Sequence, residues 1–131
     1  SYGGYMSSLT ILQGADYFKT AIAVAPVTHW KFYDTIYTER YMQRPKDNEE
    51  GYKESAPVTH ASKLKGNLLI VHGTTDDNVH WQNTVQFVDV LQKAGKQFET
   101  MYYVNKNHGI SGGNTRVHLF DMITNYILEK L

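Results

Sequence analysis

Three polar residues of this sequence could together activate a nucleophile: Ser1, Asp76 and His108. A serine hydroxyl becomes an effective nucleophile when an imidazole accepts its proton. The imidazole in turn needs a carboxylate that fixes its tautomer and stabilises the positive charge that it acquires. These residue types therefore predict acyl transfer by a serine nucleophile, with Asp76 as the carboxylate and His108 as the general base.

Ser1 is followed by Tyr2 and then by two glycines, Gly3 and Gly4, at the start of a helical pattern. Ser-x-Gly is the second half of the Gly-x-Ser-x-Gly signature, in which small residues let a strand turn sharply into a helix. At such a turn the backbone N–H of Tyr2 would point at the developing oxyanion. Because Ser-x-Gly-Gly is also common in ordinary loops, this motif indicates a nucleophile only in combination with the carboxylate and the histidine.

Asp76 lies in the polar segment 73–78, directly after the most apolar strand pattern and before a helical pattern. Catalytic groups gather at the carboxyl ends of the strands in open α/β sheets. The alternative is structural, because Asp77 or Asn78 could cap a helix that begins near His80. The adjacent carboxylates lack the further spaced oxygen ligands of a Mg²⁺ or Ca²⁺ site, so no metal site is predicted.

His108 lies in a polar loop, residues 105–109, between the third strand pattern and the last helical pattern. His72 ends a strand pattern and is interpreted as a core residue, whereas His80 and His118 fall on predicted helices. On its own, His108 is equally compatible with an ordinary surface loop. Its position after a strand favours a role beside Asp76.

Three apolar segments predict strands that could position these residues. They are Thr20–Ala25, Asn67–His72 and Phe98–Val104. Apolar runs without strict alternation are typical of parallel strands that are covered on both faces. The segment 28–62, aromatic at first and charged later, predicts an irregular helical excursion between the first two strands.

Helical patterns separate the strands, at Tyr5–Leu12 with Gly14 as its C-cap, at His80–Ala94, and from Val117 onward. The alternation predicts an α/β fold with a parallel sheet. The apolar residues that give the helical spacing are Trp81, Val85, Val88 and Leu91 in the second helix, and Val117, Phe120, Ile123, Ile127 and Leu131 in the third.

The chain order Ser…Asp…His is that of the α/β-hydrolase triad. Three strands are few for such a sheet, and no strand pattern precedes Ser1. Residues 1–131 are therefore expected to be the C-terminal portion of an α/β-hydrolase domain, a fragment of a larger, mostly parallel sheet. We expect the chain on its own to be catalytically inactive and poorly soluble, because an unpaired strand edge promotes aggregation.

Composition excludes several classes of protein. The formal net charge is zero, which argues against a nucleic-acid partner or an anionic membrane surface. The longest apolar stretch, around 21–27, is far shorter than the roughly 20 residues of a membrane-spanning helix. Because cysteine is absent, a disulfide scaffold, a thiolate metal site and a cysteine nucleophile are excluded. No cofactor is predicted.

Four segments carry a family resemblance: Ser1–Tyr5, Tyr33–Met42, His72–His80 and His108–Ile110. Together they resemble the catalytic domain of the dipeptidyl-peptidase IV family, in the prolyl-oligopeptidase clan of serine peptidases. The resemblance runs from end to end of the chain, and the middle two segments are its specific part. It implies a serine exopeptidase that releases N-terminal Xaa-Pro dipeptides, or less readily Xaa-Ala dipeptides, through an acyl-enzyme.

The resemblance also assigns functional residues. It implies that Ser1 is the nucleophile, Asp76 the carboxylate and His108 the general base. Asn78 would bind a substrate carbonyl through its amide, and Asp34 would support the tyrosines on either side of it. Tyr33 and Tyr37 are four apart, so on a helix both rings would face one side. The residues implied to line the pocket for the proline ring are Tyr2, Val27, Trp30, Tyr33, Tyr37 and Val79.

Members of that family also have a β-propeller with paired glutamates that hold the substrate's free N-terminus, and a tyrosine hydroxyl that completes the oxyanion hole. This chain contains none of these. The resemblance further implies a homodimer, and a periplasmic, membrane-anchored or secreted location. The absence of cysteine and of Asn-x-Ser/Thr acceptors favours a bacterial source.

Two alternatives remain at this point. The first is another peptidase of the clan, such as an acylaminoacyl-peptidase, or an esterase. Segment 33–42 and the sequence Asp77-Asn78-Val79, with no proline after it, argue against that alternative. The second is a non-catalytic homologue or accessory subunit, against which the retention of Ser1, Asp76 and His108 argues.

Overall fold

A three-stranded parallel sheet forms the centre of the computed structural model, which describes residues 1–131. The strands are β1 (Thr20–Val24), β2 (Asn67–Gly73) and β3 (Glu99–Tyr103), in the order β1-β2-β3. The register places Val24 opposite Val71 and His72 opposite Tyr102. The predicted α/β class is confirmed, and every predicted strand end lies within one residue of the observed one.

The central strand β2 is buried on both faces, as its continuous apolar sequence predicts. Successive side chains of a strand point to opposite faces. Leu68 and Ile70 accordingly enter one hydrophobic cluster, and Leu69 and Val71 enter a second cluster on the other face. The sheet thus has a separate core on each side.

Five α-helices surround the sheet: α1 (Tyr2–Gln13), α2 (Thr35–Met42), α3 (Glu49–Glu54), α4 (Gln82–Lys93) and α5 (Thr115–Lys130). Helices α1 and α4 contribute to the cluster around Leu68, and α5 contributes to the cluster around Leu69. Helices on both faces of a parallel sheet are typical of α/β folds. No helix has the length and apolarity needed to cross a membrane.

The apolar stripe whose spacing predicts α4 is only partly buried. Leu91 is fully buried and Val88 packs against the core, whereas Val85 is 44% exposed. Phe87, which does not belong to that stripe, is fully buried instead. Apolar residues occur on more than one side of this helix. The spacing of three and four residues therefore identified a stripe that lies next to the one that the core buries.

The apolar stripe whose spacing predicts α5 is exposed at its start. Val117 and Phe120 are more than half exposed, whereas Leu119 and Tyr126 are buried. Apolar side chains surround this helix, and the sheet buries the stripe that contains Leu119 and Tyr126, with Ile123 partly buried against the same cluster. Ile127 is 38% and Leu131 is 72% exposed.

The excursion between β1 and β2 is irregular and helical, as predicted. It contains α2, α3 and three 3₁₀ segments, Trp30–Phe32, Pro45–Asp47 and Pro57–Lys63. The side chain of Asp34 caps α2 by accepting a hydrogen bond from the backbone N–H of Tyr37 at 2.8 Å. Aspartate is a favourable N-cap because it satisfies a helix N–H that has no partner within the helix.

Candidate active site

The structure brings Ser1, His108 and Asp76 into one hydrogen-bonded chain. Ser1 Oγ contacts His108 Nε2 within hydrogen-bonding distance, and His108 Nδ1 is 2.7 Å from Asp76 Oδ2. Because an ionised carboxylate only accepts hydrogen bonds, Nδ1 carries the imidazole proton and Nε2 is the acceptor for the Ser1 hydroxyl. Asp76 is buried, His108 is partly exposed and Ser1 is exposed, so the nucleophile faces solvent while its carboxylate does not.

Ser1 immediately precedes α1, whose first N–H groups have no intrahelical partner. The backbone N–H of Tyr2, the first residue of the helix, is among those groups. The two glycines that follow differ in their surroundings. A Cβ on Gly4 would lie 2.5 Å from the Val24 carbonyl oxygen, whereas a Cβ on Gly3 would meet no atom within 4 Å. Gly4 therefore permits α1 to approach the end of β1, and crowding does not explain Gly3.

The loop after β2 holds Asp76 by its own backbone. Asp76 Oδ1 accepts hydrogen bonds from the N–H groups of Asn78 at 2.9 Å and Val79 at 3.0 Å. The predicted alternative, in which Asp77 or Asn78 caps the next helix, is wrong. Helix α4 begins at Gln82, and its N-cap residue is Trp81, which makes no side-chain cap hydrogen bond. The Asp76 side chain therefore organises its own loop and does not cap a helix.

The loop after β3 carries His108 and is tied to the Asp76 loop. The Thr75 N–H donates to the Lys106 carbonyl oxygen at 3.1 Å, and the Asn105 N–H donates to Thr74 Oγ1 at 3.0 Å. Beyond His108, Ile110 is fully buried in the cluster beneath α5. These contacts fix the distance between the loops that bear the carboxylate and the imidazole.

An aromatic wall formed by Tyr2, Trp30, Tyr33 and Tyr37 lies beside Ser1. The Trp30 ring centroid is 6.1 Å from that of Tyr2, 6.1 Å from that of Tyr33 and 5.9 Å from that of Tyr37. Tyr33 and Tyr37 meet edge to face at 5.4 Å. Such edge-to-face pairs are favourable because the ring edge is positive and the ring face negative.

The predicted proximity of Tyr33 and Tyr37 is right, but the predicted reason is wrong. Tyr33 is the C-cap residue of the 3₁₀ segment Trp30–Phe32, and α2 begins only at Thr35, so the two rings do not share one helix. The turn at Asp34 between the two elements brings them together. Asp34 itself is exposed and caps the helix rather than contacting the rings' hydroxyls.

The remaining predicted pocket residues join the same patch. Val27 and Val79 are buried in one cluster with Trp30, and Tyr33 packs against that cluster. The Tyr33 hydroxyl donates to Asn78 Oδ1 at 2.7 Å. Burial, followed by the negative charge of Asp34, raises the pKa of Tyr33, which keeps its hydroxyl protonated as this donor.

The sequence interpretation treated His72 as a core residue, and the structure shows that it also contacts Asp76. His72 Nε2 lies 3.1 Å from Asp76 Oδ2 and 2.8 Å from the Val79 carbonyl oxygen. The available signal was a histidine at the end of the strand that leads directly to the carboxylate. No group of three or more histidine, aspartate or glutamate side chains is arranged to hold a metal ion.

The comparisons with known proteins agree with this geometry. Residues 1–131 match the prolyl oligopeptidase family. The chain is 45% identical to prolyl endopeptidase FAP of Mus musculus and 42% identical to dipeptidyl peptidase 4 of Felis catus, in each case over 98% of this chain and 17% of the relative. The crystal structure of Porphyromonas gingivalis dipeptidyl peptidase 4 is 49% identical, with a TM-score of 0.97, over 99% of this chain and 18% of that chain.

The chain therefore belongs to the prolyl oligopeptidase family, and these relatives are serine peptidases and hence hydrolases. Its three parallel strands and flanking helices match the C-terminal region of the α/β-hydrolase domain of dipeptidyl peptidase 4. It spans less than a fifth of the length of these relatives.

Proposed function

We propose that this chain is the C-terminal portion of the catalytic domain of a serine exopeptidase that releases N-terminal Xaa-Pro or Xaa-Ala dipeptides. The observation that carries the proposal is the hydrogen-bonded chain from Ser1 through His108 to Asp76, open to solvent beside the aromatic wall. The similarity to dipeptidyl peptidase 4 supports the dipeptide product.

In the proposed acylation step, Ser1 Oγ attacks the carbonyl carbon of the proline while His108 Nε2 takes the hydroxyl proton. His108 then gives that proton to the leaving amine, and the dipeptide remains as an ester on Ser1. In deacylation His108 takes a proton from water, and the hydroxide attacks the ester carbon. The bond to Ser1 Oγ then breaks, the dipeptide leaves with a free carboxylate, and His108 returns the proton to Ser1 Oγ. The Tyr2 N–H, at the positive end of α1, would stabilise the oxyanion of each tetrahedral intermediate.

The aromatic wall suits a proline side chain for a physical reason. A pyrrolidine ring is rigid and apolar, so it loses little conformational freedom on entering a pocket of aromatic faces. Buried Val27 and Val79 would close the base of that pocket without polar groups that need a partner. The small alanine side chain would leave part of the pocket unfilled, which accounts for a weaker preference.

Asn78 would select the extended backbone of the dipeptide. Its Oδ1 already accepts from the Tyr33 hydroxyl, so the end of its amide that is available to substrate is the NH₂ donor. That donor suits the carbonyl oxygen of the residue before proline. The two peptide carbonyls of the substrate would thus meet Asn78 and the Tyr2 N–H, respectively.

A second candidate is cleavage within a chain after proline, favoured by the 45% identity to a relative named prolyl endopeptidase FAP. The alternatives of an acylaminoacyl-peptidase, an esterase or a non-catalytic homologue receive less support, because the comparisons name proline-directed or dipeptidyl peptidases. A homodimer in the full-length protein stays a prediction.

The test uses the full-length protein and three chromogenic substrates: Gly-Pro-p-nitroanilide, acetyl-Gly-Pro-p-nitroanilide and acetyl-Ala-p-nitroanilide. The proposal predicts rapid hydrolysis of the first alone. Hydrolysis of the second would favour the endopeptidase, and hydrolysis of the third an acylaminoacyl-peptidase. Failure to hydrolyse any of the three, together with no labelling by a fluorophosphonate, would favour the non-catalytic homologue.

Replacement of the nucleophile tests the residue assignment. Ser1→Ala should lower kcat by about 10⁶-fold, as the loss of the nucleophile does in a comparable triad. Ser7→Ala is the matched control, because Ser7 lies in the helix that follows Ser1 and is not a partner in the hydrogen bonds of the triad. Substantial turnover by the Ser1→Ala variant would refute the assignment.

A further inference from the structure

We propose that His72 is a positioning residue for the proposed peptidase reaction, acting on Asp76 through a buried hydrogen bond. The inference rests on the proposed function, in which Asp76 must hold the His108 imidazole in one orientation. His72 lies at the end of β2, four residues before Asp76, and its side chain is fully buried. It therefore acts from inside the sheet, on the side of Asp76 that substrate does not reach.

The partners of His72 determine where its proton lies. Nε2 faces two acceptors, Asp76 Oδ2 at 3.1 Å and the Val79 carbonyl oxygen at 2.8 Å, so Nε2 must carry a hydrogen. Nδ1 is 2.7 Å from Thr84 Oγ1. A hydroxyl donates or accepts according to its partner, so a neutral imidazole with the proton on Nε2 satisfies all of these contacts at once.

The surroundings of His72 also favour its neutral form. Burial lowers the pKa of His72, and the positive charge that His108 acquires lowers it further, although the Val79 carbonyl and Asp76 act in the opposite direction. A second imidazolium would compete with His108 for the one carboxylate. As a neutral donor, His72 can hydrogen-bond to the Asp76 carboxylate without competing with the charged His108 for it.

With His72 in place, both oxygens of Asp76 are fixed. Oδ1 is held by the N–H groups of Asn78 and Val79, and Oδ2 receives hydrogen bonds from both histidines. The carboxylate thus has four donors, about the number that its lone pairs accommodate. Without the His72 donor, Oδ2 would be held by His108 alone. The His108 imidazole changes between its neutral and charged forms in each catalytic cycle, so it is a less constant partner.

Three substitutions at position 72 of the full-length protein separate the two ring nitrogens. The amide nitrogen of His72→Gln reaches the position of Nε2, whereas that of His72→Asn reaches only the position of Nδ1. His72→Leu removes both. Tyr103→Phe is the control for the loss of a hydrogen bond that does not involve Asp76. It removes the 2.7 Å contact between the Tyr103 hydroxyl and His118 Nδ1, on the face of the sheet opposite to His72.

The measurements are kcat and KM for Gly-Pro-p-nitroanilide and the rate at which diisopropyl fluorophosphate labels Ser1. His72→Leu and His72→Asn should lower kcat and the labelling rate about 10- to 100-fold with little change in KM, because a displacement of about 1 Å in a reacting group can cost about a hundredfold. In the His72→Gln variant, kcat and the labelling rate should both remain close to those of the unsubstituted protein. Tyr103→Phe should lower the melting temperature and leave both rates unchanged.

Two results would overturn the proposal. One is a kcat for the folded His72→Leu variant that equals that of the unsubstituted protein. The other is equal loss in His72→Gln and His72→Asn, which would indicate a purely steric role. Failure of the proposed function is recognised separately, because the unsubstituted protein would then fail to cleave Gly-Pro-p-nitroanilide. The labelling rate would still report whether His72 supports the reactivity of Ser1.

Discussion

Gly73 lies so close to Lys106 that a Cβ atom on Gly73 would come within 2.2 Å of the Lys106 carbonyl oxygen. That same oxygen accepts the hydrogen bond from Thr75 that ties the Asp76 loop to the His108 loop. Gly73 is therefore required for space, because its φ angle is not in the left-handed region. The two loops can approach each other only if the last residue of β2 has no side chain.

We expect Gly73→Ala to reduce activity strongly. The added methyl group must displace the backbone at Lys106, which lies two residues before His108, and so move the imidazole relative to Asp76. A loss of about a hundredfold in kcat is expected for a shift of about 1 Å. The control is Ser7→Ala in α1, which is also a change between small residues but adds no atom beside either loop. Equal kcat values for the two variants would show that the His108 loop adapts.

Tyr37 tests whether the aromatic wall binds substrate or only supports the core. Its side chain is 39% exposed, so Tyr37→Ala should cost less stability than the roughly 3–5 kcal/mol of a buried aromatic residue. We expect kcat/KM for Gly-Pro-p-nitroanilide to fall about tenfold, which corresponds to about 1.4 kcal/mol of lost transition-state binding. Steady-state kinetics and thermal melting are measured on the same preparation.

The control for Tyr37 is Tyr41→Ala, one turn further along α2. Tyr41 is 67% exposed, and its ring centroid lies 5.3 Å from that of Tyr37, so it is chemically similar but was not predicted to contact the proline ring. Equal kinetic loss in both variants would indicate a general effect on α2. A lower melting temperature with unchanged kcat/KM for Tyr37→Ala would indicate a core residue.

The sequence predicted the strands and the proximity of Ser1, Asp76 and His108 because both depend on simple rules. Continuous apolar runs identify buried parallel strands, and the carboxyl ends of such strands meet at one edge of the sheet. Helix faces were harder to predict. Phe120 and Leu119 are adjacent and both apolar, yet only Leu119 is buried, because the choice between them depends on the angle at which α5 meets the sheet.

The contacts of His72 lay beyond what the sequence could show. Its distance to Asp76 depends on the turn after β2, where Asp76 bonds to the Asn78 and Val79 N–H groups and thereby folds back over the strand end. The same limit explains the error at Tyr33. Its contact with Tyr37 arises from a change of chain direction at Asp34, and no periodicity in the sequence encodes that change.

Asn83 is expected to contribute strongly to stability. Its Oδ1 accepts from the Thr28 N–H at 2.9 Å, its carbonyl oxygen accepts from the Thr28 hydroxyl at 2.7 Å, and both residues are fully buried. Asn83→Ala leaves the Thr28 N–H without a partner, which should cost about 1–3 kcal/mol. Denaturant unfolding measures this loss. Asn125→Ala, at an exposed position of α5, should change stability by no more than about 0.5 kcal/mol.

The buried His72 should also make stability depend on pH. Burial lowers the pKa of His72 in the folded protein below the value of about 6.5 that histidine has in an unfolded chain. As the pH falls below about 6.5, the unfolded chain binds a proton at residue 72 that the folded protein excludes. The free energy of unfolding must therefore decrease with falling pH, until the lowered folded-state pKa is reached. Above about pH 6.5 residue 72 is neutral in both states and contributes no slope.

The measurement is the free energy of unfolding in denaturant at a series of pH values from about 8 to 5. In the His72→Gln variant the residue does not titrate, so its stability should fall less steeply than that of the unsubstituted protein on the acid side of about pH 6.5. His29 adds to the slope in both proteins, because burial and the charge of Lys31 lower its pKa as well. The comparison therefore depends on the difference between the two slopes. Parallel curves would mean that residue 72 takes up its proton equally in the folded and unfolded chains, which would contradict a neutral, buried donor to Asp76.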